Sequence, residues 1–246
     1  MSNGIKVKKR NGRGTEALDL EKMHKMVEDA TQGLAGVSAS QVEIQSGIQF
    51  YDGITTAEIQ EILIKSASDL IDLDHPNYQF VAARLLLFSI RKSLYGRSRE
   101  LPQLEDHIVK CVGQDVYDGD IYTKYSKEDI EKANGYIDHD RDFLFTYAGL
   151  RQVVDKYLVQ DRSTGQVYET PQFMYMMIAL TIFAEYPKET RLNYVRRYYN
   201  AISKHRINIP TPIMAGVRTP IRQFASCVLV DSDDTLDSIF SSDMAI

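Results

Sequence analysis

Apolar and polar side chains alternate at the start of the chain and then recur at helical spacing. Residues 5–10 alternate apolar with basic side chains, Asn11-Gly12 is a strong signal for a tight hairpin turn, and residues 15–18 can return as a second strand. Asp19 suits the N-cap of a helix in which apolar residues then recur every three to four positions. The pattern predicts a small β-ribbon followed by an amphipathic helix.

Further helical segments follow this first helix. Segments 40–43 and 55–58 each have the residue spacing of a capping box at the start of a helix. A longer helix is expected over 75–94, because its central stretch is apolar enough for burial, and Gly96 is suited to end it. A hairpin with about four helices is therefore predicted for residues 1–95.

Shorter helices and one ribbon are predicted in the middle of the chain. The predicted helices span 104–112, 126–133, 147–157, 173–184 and 191–203. Residues 158–168 combine short apolar runs with a turn that contains Gly165, which predicts a β-ribbon. Residues 96–205 are thus expected to form a helical region with a β-ribbon.

Two apolar runs near the end of the chain have the character of buried strands. They are residues 207–209 and 224–230, and prolines punctuate the loop between them. Residues 231–246 carry five acidic residues, no basic residue and the start of a helical pattern. A buried strand without partner strands would leave its backbone groups unpaired, so we expect this chain to be incomplete by itself.

The composition is that of an ordinary globular protein. Of the 246 residues, 43% are hydrophobic and 26% are charged, which excludes disordered, collagen-like and disulfide-scaffold classes. The net charge of −5 argues against a broad nucleic-acid surface. Neither a signal-peptide core nor an apolar run of about 18 residues is present, so we expect a cytoplasmic protein with no membrane partner.

Cysteine and histidine usage narrows the candidate chemistry. In a reducing compartment Cys111 and Cys227 are not expected to form a structural disulfide, so each is a packing residue or a reactive thiol. The five histidines show no metal-ligand spacing, and we expect no metal on this chain.

The strongest motif lies near the end of the chain. Residues 210–220 read Pro-Thr-Pro-Ile-Met-Ala-Gly-Val-Arg-Thr-Pro, and residues 222–227 read Arg-Gln-Phe-Ala-Ser-Cys. This motif resembles the large, catalytic subunit of class I ribonucleotide reductases. Further segments resemble that family in the same order, at 49–54, 78–85, 139–142 and 157–160.

The resemblance runs over almost the whole chain and covers the amino-terminal third of the family's subunit. It implies an α+β, mostly helical fold in three parts. These are an ATP-cone allosteric domain with a β-hairpin and four helices (1–95), a helical region (96–205) and the first strands of a ten-stranded α/β catalytic barrel (206–246). The barrel would be truncated here or completed by another chain.

Basic residues of the hairpin are candidates for nucleotide binding. Lys8, Lys9 and Arg10 at the turn, with Lys22 in the next helix, can converge on phosphate oxygens, although they can also simply protect a solvated strand edge. The resemblance implies that the cone binds ATP or dATP as allosteric effectors. It places the contacts on Lys9, Arg10, Glu16, Ala17, Leu18, Asp19, Leu20, Glu21, Lys22, Thr56 and Lys92.

Cys227 has two interpretations. In a buried strand it is by default a small core residue, whereas the resemblance implies a redox-active thiol that forms a disulfide with a cysteine outside this chain. The resemblance also assigns substrate binding to Thr211 and Ser226, although Thr211 between two prolines otherwise indicates a rigid turn. Cys111 matches no cysteine of the family and is interpreted as a packing residue.

An acidic segment after Cys227 also has two interpretations. The resemblance places the start of a specificity site for a deoxynucleoside triphosphate effector at Asp234, Thr235 and Leu236. The alternative is an acidic helix N-terminus favoured by the helix dipole.

The function implied by the resemblance is the reduction of ribonucleoside diphosphates to deoxyribonucleotides by thiyl-radical chemistry. This chain alone should be inactive. The implied partners are the rest of the large subunit, a small subunit with a diiron-tyrosyl radical, a second large subunit, and thioredoxin or glutaredoxin. One alternative is a non-catalytic ATP-cone nucleotide sensor, although such sensors carry a zinc ribbon that the two cysteines of this chain cannot form. The other alternative is a plain scaffold.

Overall fold

A two-stranded antiparallel ribbon opens the chain. The computed structural model describes residues 5–9, 14–47, 49–221, 224–225, 227 and 229–245. Strands β1 (Lys6–Lys8) and β2 (Thr15–Ala17) pair with Val7 opposite Glu16, as the alternating pattern predicts, and Val7 is buried. The predicted Asn11-Gly12 turn lies outside the described residues.

Helices then pack against the ribbon and against one another. They are α1 (Leu20–Thr31), α2 (Ala39–Gly47), α3 (Thr56–Asp69) and α4 (Tyr78–Tyr95). Asp19 caps α1 and Thr55 caps α3 in a capping box with Glu58, as predicted. Gly96 ends α4 with a φ of 75°, a conformation that favours glycine.

The capping box predicted at segment 40–43 is wrong. Helix α2 begins at Ala39, and the Ser38 carbonyl accepts a hydrogen bond from the Val42 amide. The Ser38 amide in turn donates to the Tyr78 hydroxyl at 3.0 Å. This contact with α4 fixes the chain just before α2, so Ser40 lies inside the first turn instead of capping it.

The second part of the chain is also helical. Its helices are α5 (Leu104–Val112), α6 (Ile121–Lys124), α7 (Lys127–Asn134), α8 (Tyr147–Lys156), α9 (Pro171–Ile182), α10 (Lys188–Ser203), α11 (Thr211–Gly216) and α12 (Leu236–Ala245). A 3₁₀ helix, His139–Leu144, precedes α8. The predicted ribbon over 158–168 is reduced to one antiparallel bridge between Gln160 and Val167.

Helix α4 joins the two parts of the molecule. It packs against α1 and α3 on one side and against α8 and the 3₁₀ helix on the other. Its residues Leu85 and Leu87 are fully buried, and so are Phe173 and Met176 on α9. One hydrophobic core therefore extends from the ribbon and its helices into the helical region.

The strands predicted at 207–209 and 224–230 are wrong for the residues that the structure describes. No strand is present there, the Cys227 side chain is exposed, and Leu229 is 98% exposed. An extended segment needs a neighbouring strand to pair its amides and carbonyls. Such a neighbour is not among the described residues, so the apolar pattern alone does not produce a strand.

Thr211 and the acidic segment lie at helix starts. Thr211 begins the short helix α11, with Pro212 in its first turn, where the missing amide hydrogen costs nothing. The helical pattern predicted after Val230 is present as α12. None of the helices in the described part of the chain combines the length and the hydropathy that a bilayer crossing requires.

Candidate functional sites

The predicted phosphate-binding lysines are paired with carboxylates. Lys9 Nζ lies 2.9 Å from Glu16 Oε2, and Lys22 Nζ lies 3.0 Å from Asp19 Oδ2. The Asp19 carboxylate also accepts a hydrogen bond from the Lys22 amide. This hydrogen bond and the one from the Lys22 side chain lower the pKa of the Asp19 carboxyl. Exposed ion pairs of this kind are weak, because water screens the two charges. An incoming phosphate can therefore replace these carboxylates at little cost.

The backbone brings Lys9 close to the start of α3. The Lys8 amide donates to the Ile54 carbonyl at 2.9 Å, and the Gly53 amide donates to the Lys6 carbonyl at 2.8 Å. Segment 53–55 thus lies along β1, with a parallel bridge between Lys8 and Thr55. Lys9 directly follows Lys8, and Thr56 directly follows Thr55. Because Lys8 and Thr55 are bridged in parallel, the two predicted residues lie at the same end of this pairing.

Lys92 lies at the same level of the helices. Gln60 on α3 donates from Nε2 to the Leu85 carbonyl of α4 at 3.1 Å. The two helices are joined by the short segment 70–77 and run in opposite directions. Lys92 lies seven residues, or about 10 Å, beyond Leu85 along α4. It is therefore level with residue 53, which lies seven residues before Gln60. The carboxyl-terminal part of α4, which carries Lys92, therefore lies level with the start of α3, which carries Thr56. Arg10 lies outside the described residues.

An apolar cleft adjoins the ribbon and the start of α1. It has a volume of about 740 Å³ and is lined by Ile5, Leu18, Leu20, Glu21, Met23, His24, Glu43, Ile44, Gly47 and Phe50. Nucleotide contacts were predicted from the sequence at Leu18, Leu20 and Glu21 of this lining. None was predicted at Met23, His24 or Ile44. His24 Nδ1 lies 2.7 Å from Glu43, which raises the pKa of the imidazole. The cleft offers an apolar surface beside the lysines.

A second cleft contains Thr211. This Thr211 cleft has a volume of about 750 Å³ and lies between residues 156–162 on one wall and Thr211, Pro220 and Ala225 on the other. The Tyr157 hydroxyl lies 3.5 Å from Thr211 Oγ1. Ala225 is two residues before the exposed Cys227. The Pro-Thr-Pro motif and the segment just before the cysteine therefore border one cleft. Ser226 lies outside the described residues.

A buried ion pair lies behind the Thr211 cleft. Arg218 and Glu169 are both fully buried, and the guanidinium forms an ion pair with the carboxylate through Nε and Nη2. Arg218 Nη2 also donates to the Tyr157 carbonyl at 2.8 Å, and Nη1 donates to the Met214 carbonyl. The Tyr117 hydroxyl donates to Glu169 Oε2 at 2.5 Å. Sequence reasoning placed Arg218 in the motif and missed its partners.

Comparison with protein families agrees with this geometry. Residues 5–93 match the family described as the ATP cone domain, and residues 143–222 match the family described as ribonucleotide reductase, all-alpha domain. The ATP-cone match covers the ribbon and α1 to most of α4, and the all-alpha match covers α8 through α11, which border most of the Thr211 cleft.

Similar proteins extend the match over the whole chain. Ribonucleoside-diphosphate reductase 1 subunit alpha of Escherichia coli is 50% identical over 246 residues, which is 100% of this chain and 32% of that protein. Ribonucleoside-diphosphate reductase subunit alpha of Haemophilus influenzae is 49% identical over 246 residues, which is also 100% of this chain and 32% of that protein. The subunit alpha of Enterobacteria phage T4 is 43% identical over 234 residues, which is 94% of this chain and 30% of that protein. The resemblance to the amino-terminal third of the large subunit is confirmed.

A buried polar network connects the ATP cone with the all-alpha domain. Arg91 on α4 forms an ion pair with Asp142 on the 3₁₀ helix at 2.9 Å, and both side chains are buried. Gln172 donates to the other Asp142 oxygen at 2.9 Å and accepts from the Tyr199 hydroxyl at 2.7 Å. Segment 139–142, which resembles the family in sequence, thus contributes a buried carboxylate to this network.

The predicted specificity residues lie at the start of α12. The Thr235 hydroxyl accepts from the Ser238 amide at 3.2 Å, and Leu236 is the first residue of the helix and is 72% exposed. Asp233 and Asp234 precede it. These contacts are those of a helix N-terminus.

Cys111 and His107 fit packing roles. Cys111 is buried with Sγ 3.7 Å from His107 Nε2, and burial raises the pKa of its thiol to about 12, so it stays protonated. Burial lowers the pKa of His107 to about 3. Among the described residues, no group of three or more His, Cys, Asp or Glu side chains is arranged to hold a metal ion.

Proposed function

We propose that this chain is the amino-terminal part of a ribonucleoside-diphosphate reductase large subunit, which reduces ribonucleoside diphosphates to deoxyribonucleotides. The observation that carries the proposal is the match of 94–100% of the chain to named reductase subunits at 43–50% identity. The Thr211 cleft supports it, because the residues bordering Cys227 and the Pro-Thr-Pro motif line one space. The chain spans 32% of those relatives, so catalysis requires the remainder of the subunit.

The proposed chemistry gives Cys227 the role of a reducing thiol. A thiyl radical on a cysteine outside this chain removes a hydrogen atom from the substrate ribose and later returns one. Cys227 and a second thiol outside the chain supply two electrons and two protons, their sulfurs join in a disulfide, and the 2′-hydroxyl leaves as water. The disulfide must be reduced again before the next turnover, and thioredoxin or glutaredoxin is the proposed source of those electrons.

Substrate binding is proposed for Thr211 and Ser226. Their hydroxyl groups can donate hydrogen bonds to a diphosphate and accept them from a ribose. The position of Thr211 on the wall of the Thr211 cleft supports this role. A deoxynucleoside triphosphate at Asp234, Thr235 and Leu236 would select the base that is reduced.

The ATP cone is proposed to bind ATP or dATP at its hairpin end. The lysines there suit the triphosphate, the start of α1 adds amide groups, and the neighbouring apolar cleft suits a base. The contacts are Lys9, Arg10, Thr56, Lys92 and the run 16–22. The Gln60 side chain is buried beneath this end and holds α3 against α4, so it acts as a structural support there.

The proposed assembly contains several further components. The rest of the large subunit completes the catalytic barrel, the small subunit supplies a diiron-tyrosyl radical, and two large subunits form a dimer. This chain by itself would be inactive, and the proposed place of action is the cytoplasm. No metal is assigned to this chain.

Reconstitution tests the catalytic proposal. The chain is combined with the remainder of the large subunit and the small subunit, and formation of deoxyribonucleoside diphosphate is followed with a dithiol reductant. We expect turnover by the wild type and by Cys111→Ala, and loss of sustained turnover in Cys227→Ser with nucleotide binding unchanged. An inactive wild-type complex, or an active Cys227→Ser complex, would refute the proposal. An inactive complex that still binds ATP would favour the nucleotide-sensor alternative.

Calorimetry tests the ATP-cone site in the chain itself. Lys9→Ala combined with Lys92→Ala removes two of the proposed phosphate contacts, and we expect ATP affinity to fall roughly tenfold or more. Lys132→Ala, an exposed lysine on α7, is the matched control and should leave the affinity unchanged. Equal ATP affinity in the double variant and the control would reject the site.

A further inference from the structure

The two walls of the Thr211 cleft come from distant parts of the chain. One wall is residues 156–162, which follow α8, and the other is α11 with the residues after it. The Tyr157 and Thr211 side chains approach to 3.5 Å across the cleft. Something must hold the two walls at a fixed spacing, because a single long side-chain contact between exposed hydroxyls is weak.

The Arg218 guanidinium bonds to both walls at once. Nη1 donates to the carbonyl of Met214 on α11, and Nη2 donates to the carbonyl of Tyr157 at 2.8 Å. Glu169 pairs with the guanidinium and also accepts from the Val159 amide at 2.7 Å. The ion pair therefore connects α11 with residues 157–159 directly behind the cleft.

The surroundings fix both partners of the ion pair. The Tyr117 hydroxyl donates to Glu169 and lies 3.0 Å from His107 Nε2, and the Asp118 amide donates to the Arg218 carbonyl. Burial lowers the pKa of Arg218, but the attraction of Glu169 outweighs this and the pKa lies above its ordinary value. The guanidinium therefore keeps its charge in the interior, and each of its three nitrogens has a hydrogen-bond partner.

A stability role does not account for this arrangement. Replacing a buried ion pair with apolar residues of similar volume is often neutral or stabilising, because the two charges no longer have to leave water. What apolar residues cannot reproduce is a planar donor that bonds two carbonyls on opposite walls at fixed distances.

We propose that Arg218 and Glu169 are positioning residues that set the spacing of the Thr211 cleft for a ribonucleoside diphosphate. This inference rests on the proposed function. Neither residue has to touch the substrate. Their effect is exerted through α11, which carries Thr211, and through residues 157–159 of the opposite wall.

A double replacement separates positioning from stability. Arg218→Met with Glu169→Leu removes both charges and keeps the volume, but it leaves the Val159 amide and the Tyr157 and Met214 carbonyls without this partner. We therefore expect a folded protein with a lower melting temperature than the wild type. In the reconstituted reductase we expect KM for the ribonucleoside diphosphate to rise roughly 10- to 100-fold, with unchanged affinity for ATP. A folded double variant with wild-type KM would overturn the proposal.

Arg218→Lys tests the same point if the double variant does not fold. A lysine keeps a charge for Glu169, but its single nitrogen cannot reproduce the planar fork. We expect the folded Arg218→Lys enzyme to show a raised KM in the same direction. A wild-type KM in Arg218→Lys would overturn the proposal.

Hydrogen exchange in this chain distinguishes the positioning role from the proposed function. We expect amides of α11 and of Val159 to exchange at least about tenfold faster in the Arg218 variants than in the wild type, while α3 is unchanged. If the reconstituted wild type is inactive, the proposed function fails even though this exchange pattern is observed. Unchanged exchange at α11 and Val159 would overturn the positioning role, even in an active enzyme.

Discussion

Asp19 and Thr55 are residues whose side-chain oxygens fix where a helix begins. Each accepts a hydrogen bond from an amide in the first turn, at 3.0 Å for Asp19 and 3.1 Å for Thr55. Both caps were predicted from the sequence, because a polar side chain before an apolar repeat is a local signal. Ser40 carries the same local signal, but the cap predicted there is wrong. The start of α2 is set by the contact between Ser38 and Tyr78, and Tyr78 lies on α4, 40 residues away.

Loss of the Thr55 hydroxyl should destabilise the ATP cone. Thr55→Ala removes the acceptor for the Glu58 amide, so we expect the free energy of unfolding to fall by about 1 kcal/mol. Thr55→Ser keeps the oxygen and should remain close to the wild type. Urea unfolding of the three proteins measures the difference. Equal losses in both variants would show that the methyl group, not the cap, matters.

Glu58 should contribute stability that depends on pH. Hydrogen bonds from the Thr55 side chain and backbone lower the pKa of the Glu58 carboxyl in the folded chain. The unfolded chain therefore takes up the proton at a higher pH. The contribution is complete above about pH 5 and is lost as the pH falls through the lowered pKa.

Comparison with Glu58→Gln measures this contribution. The variant does not titrate at this position, so the difference in unfolding free energy between wild type and variant should shrink from about pH 5 towards about pH 3. Above about pH 6 the difference should be constant. A difference that does not change with pH across this range would contradict the assignment.

At the scale of elements, local patterns were sufficient where the partners lie within the chain. The five helices predicted between 104 and 203 are present within a few residues of the predicted bounds. The pattern at 224–230 failed because an apolar run identifies a strand only when a neighbouring strand pairs with it. Helix α11 was missed because proline at its second position also suits a rigid turn.

Candidate residues were predictable from motifs, but their supporting contacts were not. The Pro-Thr-Pro motif identified Thr211, and the basic ribbon identified Lys9. Glu169 and Tyr117 carry no local signal, because Glu169 pairs with Arg218, 49 positions away, and Tyr117 donates to Glu169, 52 positions away. Such contacts depend on how the helices pack.

The contact between α4 and the 3₁₀ helix should be sensitive to one charge. Asp142→Asn leaves the buried Arg91 without its carboxylate, so we expect a loss of about 3 kcal/mol in unfolding free energy. Asp140→Asn, an exposed position on the same 3₁₀ helix, should change it by less than about 0.5 kcal/mol. Chemical denaturation of both variants provides the test. Similar values for the two variants would contradict a role for the buried pair.

At the scale of the whole molecule, apolar side chains remain exposed near α12. Leu229, Leu236, Phe240 and Met244 are each more than 60% exposed. In the proposed assembly these side chains are covered by the rest of the subunit or by a second copy. The described residues up to 221 therefore pack around a core of their own, whereas the apolar side chains near α12 are exposed in this chain.

The central claim is that Cys227 supplies electrons to a substrate that this chain binds together with the remainder of the subunit. The reconstituted complex is allowed one turnover on a ribonucleoside diphosphate without external reductant, then alkylated and analysed by peptide mass spectrometry. The account predicts a disulfide between Cys227 and a cysteine of the complementary polypeptide, in an amount equal to the deoxyribonucleotide formed. Product formation with Cys227 still recovered as an alkylated thiol would contradict it.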